Sequence, residues 1–172
     1  IIRLSDKPEK GKISVLKRGE MFSSVEVSED RYVPVYSEKG LTGAEFEVSA
    51  AEDIYTADGT LRISKGALAD TLVTDESGEA ESKELYPGKY LLREISAPDG
   101  FAADTEVREL TVTAGIKKIE VKNERKKQEY KIQKNLETDQ KFGIGFNGEI
   151  FNIQFGLFSK TELTALDGSI IP

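Results

Sequence analysis

Apolar and polar residues alternate through much of the chain between residues 11 and 123. Alternation with a period of two is the pattern of a β-strand with one buried face. The residues that share one face of each stretch are Ile13, Val15 and Lys17; Phe46 and Val48; Tyr90, Leu92 and Glu94; Ile119, Val121 and Asn123. The pattern predicts an all-β fold built from short strands.

Turn-forming residues separate the alternating stretches, since glycine and proline supply the backbone conformations that tight turns need. The turn signals are Asp58-Gly59, Ser77-Gly78, Pro87-Gly88, Asp99-Gly100 and Ala114-Gly115. Short strands at this spacing predict a β-sandwich or a barrel. One helical alternative exists at residues 49–54, where Ala50, Ala51 and Glu52 favour a turn or two of helix.

Two blocks of sequence from the first part of the chain recur, in the same order, in its last part. A shift of 117 positions places residues 1–17 over residues 118–134, and a shift of 109 places residues 43–60 over residues 152–169. Self-similarity of this kind is typical of repeat proteins, although chance similarity between strands is the alternative. The smaller second shift predicts a shorter insertion between the first two strands of the second copy.

The repeat predicts three parts of the chain. Residues 1–9 are the tail of a preceding repeat, residues 10–127 form a complete one, and residues 128–172 are the N-terminal part of the next. The last part is too short to close a sandwich by itself. We therefore expect further strands, or a neighbouring chain, to complete it.

The most specific motif is LYPGKYLLREISAPDGF at residues 85–101. Three others occur with it in sequence: GLTGAEFEV at 40–48, TLVTDESGEA at 71–80 and IEVKNE at 119–124. Together they resemble the B-type repeat of Gram-positive collagen adhesins (Cna-B) and the SpaA-type pilin domain, over nearly all of residues 10–127. The resemblance implies a prealbumin-like variant of the immunoglobulin-like sandwich, with about seven strands, on the cell wall of a Gram-positive bacterium.

Many members of that family carry an intramolecular isopeptide bond between a first-strand lysine and a last-strand asparagine. The resemblance implies Lys17 as the amine donor, Asn123 as the acceptor and Glu94 as the catalytic carboxyl. The alternation supports this, because each of these polar residues continues a face that otherwise carries core side chains. Lys12 is a competing donor, but it lies on the opposite face of its strand. Lys134 is the equivalent of Lys17 in the following repeat.

The bond-forming chemistry requires burial. A lysine amine attacks a carboxamide only when it is neutral, and its ordinary pKa is about 10.4. Desolvation lowers the pKa of a buried lysine by up to about 3–5 units. We expect Glu94 to take the proton of Lys17 and to polarise the amide of Asn123. The alternative is a buried Lys–Glu ion pair, with Asn123 as a hydrogen-bonded neighbour and no covalent bond. Asp6 and Lys134 belong to the neighbouring repeats, so their partners would lie outside this sequence.

Composition narrows the classes of function. The 172 residues include no cysteine and no histidine, which excludes disulfides, thiolate zinc sites and imidazole catalysis. The net charge of −7 argues against nucleic acid, and no apolar run reaches the roughly 18 residues of a membrane span. Asp53, Asp58, Asp70 and Asp75 could ligate calcium, but their spacing resembles no EF-hand loop. We expect no cofactor, no metal and no enzymatic turnover beyond a single self-crosslinking reaction.

The sequence favours a structural stalk or spacer repeat of a cell-surface adhesin or pilin-like protein. Its partners would be the neighbouring repeats of the same polypeptide, without membrane insertion in this segment. The alternative is an adhesive module that binds a host extracellular-matrix glycoprotein or a carbohydrate. The insertion at residues 19–39 is the candidate surface for such a ligand, although an extra hairpin packed on the sheet is the competing interpretation. Its aromatic and apolar residues are Met21, Phe22, Tyr32, Val33 and Tyr36.

Overall fold

The computed structural model describes residues 9–29, 31–135, 139–143 and 153–172. Within these ranges every regular element is a β-strand, which confirms the all-β prediction. The strands are β1 (Gly11–Ser28), β2 (Arg31–Gly40), β3 (Glu45–Ala50), β4 (Ile54–Tyr55), β5 (Leu61–Ile63), β6 (Leu68–Val73), β7 (Glu79–Glu81), β8 (Gly88–Ser96), β9 (Val107–Val112), β10 (Gly115–Asn123), β11 (Leu163–Thr164) and β12 (Ile170–Ile171). The described part of the chain holds no helix of the length and apolar character that a membrane crossing requires.

The strands belong to two compact units. Unit 1 comprises the described residues up to Ser23 together with Val35–Lys126, and unit 2 comprises Ser24–Pro34 together with the described residues from Lys127 onward. Unit 1 therefore contains nearly all of the predicted complete repeat, except for the tip of the β1–β2 hairpin.

Unit 1 contains two four-stranded sheets and the two-stranded sheet of β4 and β5. One has the order β10-β1-β2, with β7 also paired to β1, and the other has the order β6-β3-β8-β9. Strands β1 and β10, which begin and end the unit, are parallel neighbours with a register that runs from Gly11↔Gly115 to Gly19↔Asn123. The first and last strands therefore lie side by side in one sheet.

The inward faces of the two sheets form a single hydrophobic core, as the alternation predicted. Its buried residues are Ile13, Val15, Ala44, Phe46, Val48, Ala50, Ile54, Ala69, Leu72, Leu85, Tyr90, Leu92, Leu110, Val112 and Val121. Burial of each large aliphatic side chain contributes about 1.5–3 kcal/mol relative to exposure. The core extends along β1 only as far as Gly19, and the later residues of β1 are half-buried or exposed.

Two local expectations need correction. The helical alternative for residues 49–54 is wrong, because β3 runs to Ala50 and only a bend separates it from β4. The backbone N–H of Ala50 donates to Ala67 O at 3.0 Å, and that of Ala51 donates to Lys89 O at 2.9 Å. These two donors are therefore engaged with neighbouring segments rather than with a helical turn. The first strand is also 18 residues long rather than short, because it continues into the insertion at 19–39.

Unit 2 contains the hairpin of β11 and β12, and its turn repeats that of the β4–β5 hairpin. In the later turn Asp167 Oδ1 accepts the backbone N–H of Ser169 at 2.9 Å. In the earlier one Asp58 Oδ1 accepts the backbone N–H of Thr60 at 3.1 Å. The two turns lie 109 positions apart, which is the shift between the repeated segments.

Candidate functional site

Three strands bring Lys17, Glu94 and Asn123 to one point in the core of unit 1. In the parallel register of β1 and β10, Lys17 lies opposite Val121 and Gly19 lies opposite Asn123. Asn123 is thus the diagonal neighbour of Lys17 on the same face, within reach of a long side chain. Glu94 extends from β8 of the other sheet, where it is paired with Phe46 of β3. The side chains converge from both sheets.

The contacts within this group form a closed triangle. Lys17 Nζ donates to Asn123 Oδ1 at 2.5 Å, and it lies 3.0 Å from Glu94 Oε1. Asn123 Nδ2 donates to the same Glu94 Oε1 at 2.9 Å. A single carboxylate oxygen therefore contacts both the lysine amine and the amide nitrogen of the asparagine. We call Lys17, Glu94 and Asn123 the triad.

The triad is shielded from water. The side chains of Lys17 and Glu94 are 0% exposed, and Asn123 is 5% exposed. Burial lowers the pKa of the Lys17 amine, and the hydrogen bond and negative charge of Glu94 oppose that effect only in part. The amine also lies 5.4 Å from the centre of the Phe46 ring. The environment thus favours the neutral amine more than water does.

The loop after β8 closes the end of the site. Phe101 is buried in this loop, and the neighbouring backbone is joined to the segment after β10, since Lys126 N–H donates to Gly100 O at 2.8 Å. A Cβ atom at Gly19 would lie 2.6 Å from Phe101 Cε1, 2.8 Å from Leu41 Cδ1 and 3.0 Å from Asn123 O. The wall of the site is therefore packed so closely that residue 19 has no room for a side chain.

Sequence reasoning missed Asp104, which contacts the triad, and Arg108, which contacts Asp104. The backbone N–H of Asp104 donates to Glu94 Oε2 at 2.6 Å. The carboxylate of Asp104 in turn lies 2.7 Å from the Arg108 guanidinium. A backbone donor in a loop leaves no signature in an alternation pattern, so this contact could not be predicted. Phe101 was visible only as part of the family motif.

The other lysines and the acceptor proposed from the sequence are not part of the triad. Lys12 points away from the core and lies 2.5 Å from Glu81 Oε1, and that hydrogen bond raises the pKa of Lys12. Lys134 is exposed and lies outside any strand in the described residues, so its role as a donor stays a prediction. Asp6 lies outside the described residues.

The aspartates considered as calcium ligands are engaged with backbone N–H groups. Asp53, Asp58, Asp70 and Asp75 each accept at least one such bond. Hydrogen bonds from Thr56 and Thr60 lower the pKa of Asp58 to about 2. Across the described ranges, no group of three or more histidine, cysteine, aspartate or glutamate residues is arranged to hold a metal ion.

Comparison with protein families gives a match over most of unit 1. The model of the SpaA prealbumin-like fold domain matches residues 34–127, a range that includes Glu94 and Asn123. The trypsin-resistant surface T6 protein of Streptococcus pyogenes serotype M6 is 31% identical over 88 residues. That match covers 50% of this chain but only 16% of the T6 protein, so the chain spans a small part of its relative.

Solved structures similar to this one include two Gram-positive pilins. GBS52, the minor pilin of Streptococcus agalactiae, has a TM-score of 0.47 and 21% identity, with 74% of this chain and 49% of that chain covered. The shaft pilin SpaA of Lactobacillus rhamnosus GG (D295N mutant) has a TM-score of 0.45 and 17% identity, with 69% and 51% covered.

Proposed function

We propose that this chain, which belongs to the SpaA family of prealbumin-like fold domains, is a structural stalk or spacer repeat of a Gram-positive surface adhesin or pilin-like protein. We further propose that an isopeptide bond between Lys17 and Asn123 locks the repeat. The T6 relative is named as a surface protein, which supports a place on the cell wall. Neighbouring repeats of the same polypeptide are its proposed partners.

The observation that carries the crosslink is the double contact of Glu94 Oε1, at 3.0 Å from Lys17 Nζ and 2.9 Å from Asn123 Nδ2. In the proposed reaction Glu94 first takes a proton from the Lys17 ammonium. The neutral amine attacks Asn123 Cγ, and the Nζ–Cγ bond forms. Glu94 transfers its proton to Nδ2 and takes the second proton from Nζ, so that the Cγ–Nδ2 bond breaks, ammonia departs and one proton stays on Glu94. The products are one amide and one ammonia, with no oxidant or cofactor required.

The position of the crosslink within the fold suggests its purpose. Lys17 and Asn123 are 106 residues apart in sequence, yet they lie on adjacent parallel strands at the two ends of unit 1. A bond between them would hold the terminal strands together when the chain is pulled from its ends. It would also close a large loop without any cysteine, which suits a surface stalk exposed to proteases.

We also propose that residues 128–172 open a second copy of the repeat formed by residues 10–127. The matching turns of the β4–β5 and β11–β12 hairpins support this arrangement. Phe155, the counterpart of the buried Phe46, is 57% exposed. Such exposure is expected of a core-type side chain that no second sheet covers in the described residues.

Intact mass spectrometry tests the crosslink. The folded wild-type chain should weigh one ammonia less than its sequence mass, and so should a chain of residues 10–127 alone. Lys17→Ala, Asn123→Ala and Glu94→Ala should retain the full mass, whereas the outward-facing Lys12→Ala should still lose the ammonia. Glu94→Gln, which keeps the shape of the side chain but cannot take the proton, guards against misfolding of the alanine variant. A folded wild-type chain of full mass would refute the bond.

A further inference from the structure

The two oxygens of Glu94 have different partners. Oε1 faces the reacting nitrogens of Lys17 and Asn123, whereas Oε2 accepts the backbone N–H of Asp104 at 2.6 Å. A carboxyl group can rotate about its last carbon–carbon bond and thereby change the direction of both oxygens. The Asp104 N–H is therefore placed to fix this rotation, and the position of Oε1 depends on the position of the loop that carries Asp104.

That loop is held by the side chain of Asp104. Its Oδ1 accepts the Glu106 N–H at 2.9 Å, which shapes the loop into a turn. Its Oδ2 lies 2.7 Å from Arg108 Nη2, in a pair whose side chains are only 16% and 20% exposed. Arg108 Nη2 also donates to Glu106 Oε2 at 2.7 Å, and the backbone of Arg108 is paired on β9 with Leu92 of β8, the strand that also carries Glu94. Partial burial makes such a pair more effective than an ordinary surface ion pair.

We propose that Asp104 and Arg108 form a positioning bracket, which holds Glu94 with Oε1 directed at the Lys17 amine and the Asn123 amide during isopeptide formation. This inference depends on the proposed crosslink. Neither side chain of the bracket contacts the reacting atoms, so both act through Glu94. Without the bracket Glu94 loses its fixed orientation, and proton transfer between the two nitrogens becomes slower.

A purely electrostatic role makes a different prediction. The negative charge of Asp104 raises the pKa of Lys17, whereas the positive charge of Arg108 lowers it. If charge alone mattered, removal of Asp104 would favour the neutral amine and speed the reaction, and removal of Arg108 would slow it. The bracket predicts that both changes slow the reaction. The sign of the effect at Asp104 therefore separates the two roles.

The experiment follows ammonia loss over time in the full chain. Protein that has not formed the bond is recovered unfolded in urea, and dilution starts folding. Its intact mass is then measured at intervals, at each of a series of pH values. Asp104→Ala and Arg108→Gln should each slow the reaction by about tenfold to a hundredfold at every pH of the series. Arg108→Lys should recover only part of the rate, because a single ammonium does not reproduce the planar guanidinium.

The β4–β5 turn offers a matched control. Asp58 also caps its own turn and lies 3.9 Å from an arginine four residues later, Arg62. It has no contact with the triad among the described hydrogen bonds and ion pairs. Asp58→Ala should therefore crosslink at the wild-type rate, which shows that loss of a turn-capping aspartate is not by itself sufficient to slow the reaction.

Folding and bond formation are measured separately. Each bracket variant is also made with Lys17→Ala, which cannot form the bond, and its thermal unfolding is recorded. Asp104→Asn, which keeps the acceptor for the Glu106 N–H, replaces Asp104→Ala if that variant does not fold. If the bracket variants form the bond at the wild-type rate, or if the Asp104 variant forms it faster, the bracket proposal is wrong and the crosslink proposal still stands. Absence of ammonia loss from the folded wild-type chain would overturn both proposals.

Discussion

A lysine ammonium and a glutamate carboxylate with no exposed surface are expensive to bury, even as a pair. The attraction between two buried charges seldom exceeds the cost of their desolvation, and removal of one partner leaves an uncompensated charge. Conversion of Lys17 and Asn123 into an amide would remove the charge of the lysine permanently, and the proton that remains on Glu94 would remove the charge of the carboxylate. The proposed reaction thus replaces a buried ion pair with neutral groups.

The turn aspartate Asp58 should make the folding stability of the chain depend on pH. Its pKa lies at about 2 in the folded chain, below the ordinary value of 3.8, so the folded state binds the proton less tightly than the unfolded state. The stability that Asp58 contributes is therefore complete above pH 3.8 and is lost as the pH falls toward about 2. The difference in unfolding temperature between wild type and Asp58→Ala should narrow across this range. A difference that stays constant from neutral to acidic pH would contradict the prediction.

The residues of the site differ in how far the sequence reveals them. Alternation placed Lys17, Glu94 and Asn123 on inward faces, because the period of a strand is a local property. Their meeting point depends on the parallel register of β1 and β10, which joins residues far apart in sequence, and only the family resemblance implied it. Gly19 acts through close packing, and Asp104 acts through its backbone N–H. Neither property produces a local pattern in the sequence.

At the scale of the element, the long strand β1 has two distinct halves. From Gly11 to Gly19 every second residue is buried, which is the signal that the sequence showed clearly. Beyond Gly19 the strand pairs with β2 but has no buried face. Alternation therefore did not predict that the strand continues. The strand is extended there by hydrogen bonding to its hairpin partner rather than by a core.

The tip of the β1–β2 hairpin is the surface that the adhesive alternative would use. Val27, Tyr32 and Val33 are 65%, 46% and 45% exposed, and none of the described residues between positions 25 and 34 belongs to the core. Replacement of residues 25–34 by an Asn-Gly turn should leave the crosslink and the unfolding temperature of unit 1 unchanged, because the deleted residues contribute nothing to the core. Differential scanning calorimetry and intact mass measure both.

The same hairpin variant distinguishes the two functions. Glycan-array and matrix-protein binding are compared for the wild type and the shortened chain. A stalk repeat should bind neither set in either form. Wild-type binding that disappears in the shortened chain would favour the adhesive module, since exposed aromatic residues are typical of binding surfaces.

At the scale of the molecule, the first and last strands of the sandwich are parallel neighbours rather than distant edges. Tension applied to the two ends of unit 1 therefore acts along β1 and β10, in the sheet that contains both. Without a covalent bond, the resistance comes from the hydrogen bonds and side-chain packing between them. With the bond, force passes through Lys17 and Asn123, and the strands beyond these residues carry little of it.

The crosslink should stabilise the whole repeat against unfolding. In the chain-entropy model developed for disulfides, closure of a loop of about 100 residues stabilises the folded state by about 4–5 kcal/mol. Lys17→Ala and Asn123→Ala should therefore lower the unfolding temperature by more than about 10 °C and should shorten survival in trypsin.

Asn123→Ala is the cleaner variant, because it keeps the Lys17–Glu94 ion pair while it prevents the bond. Lys12→Ala is the control on the outward face of the same strand, and it should match the wild type in both measurements. If the Asn123 variant withstands heat and trypsin as well as the Lys12 variant does, the crosslink does not stabilise the repeat and the proposed structural role is wrong.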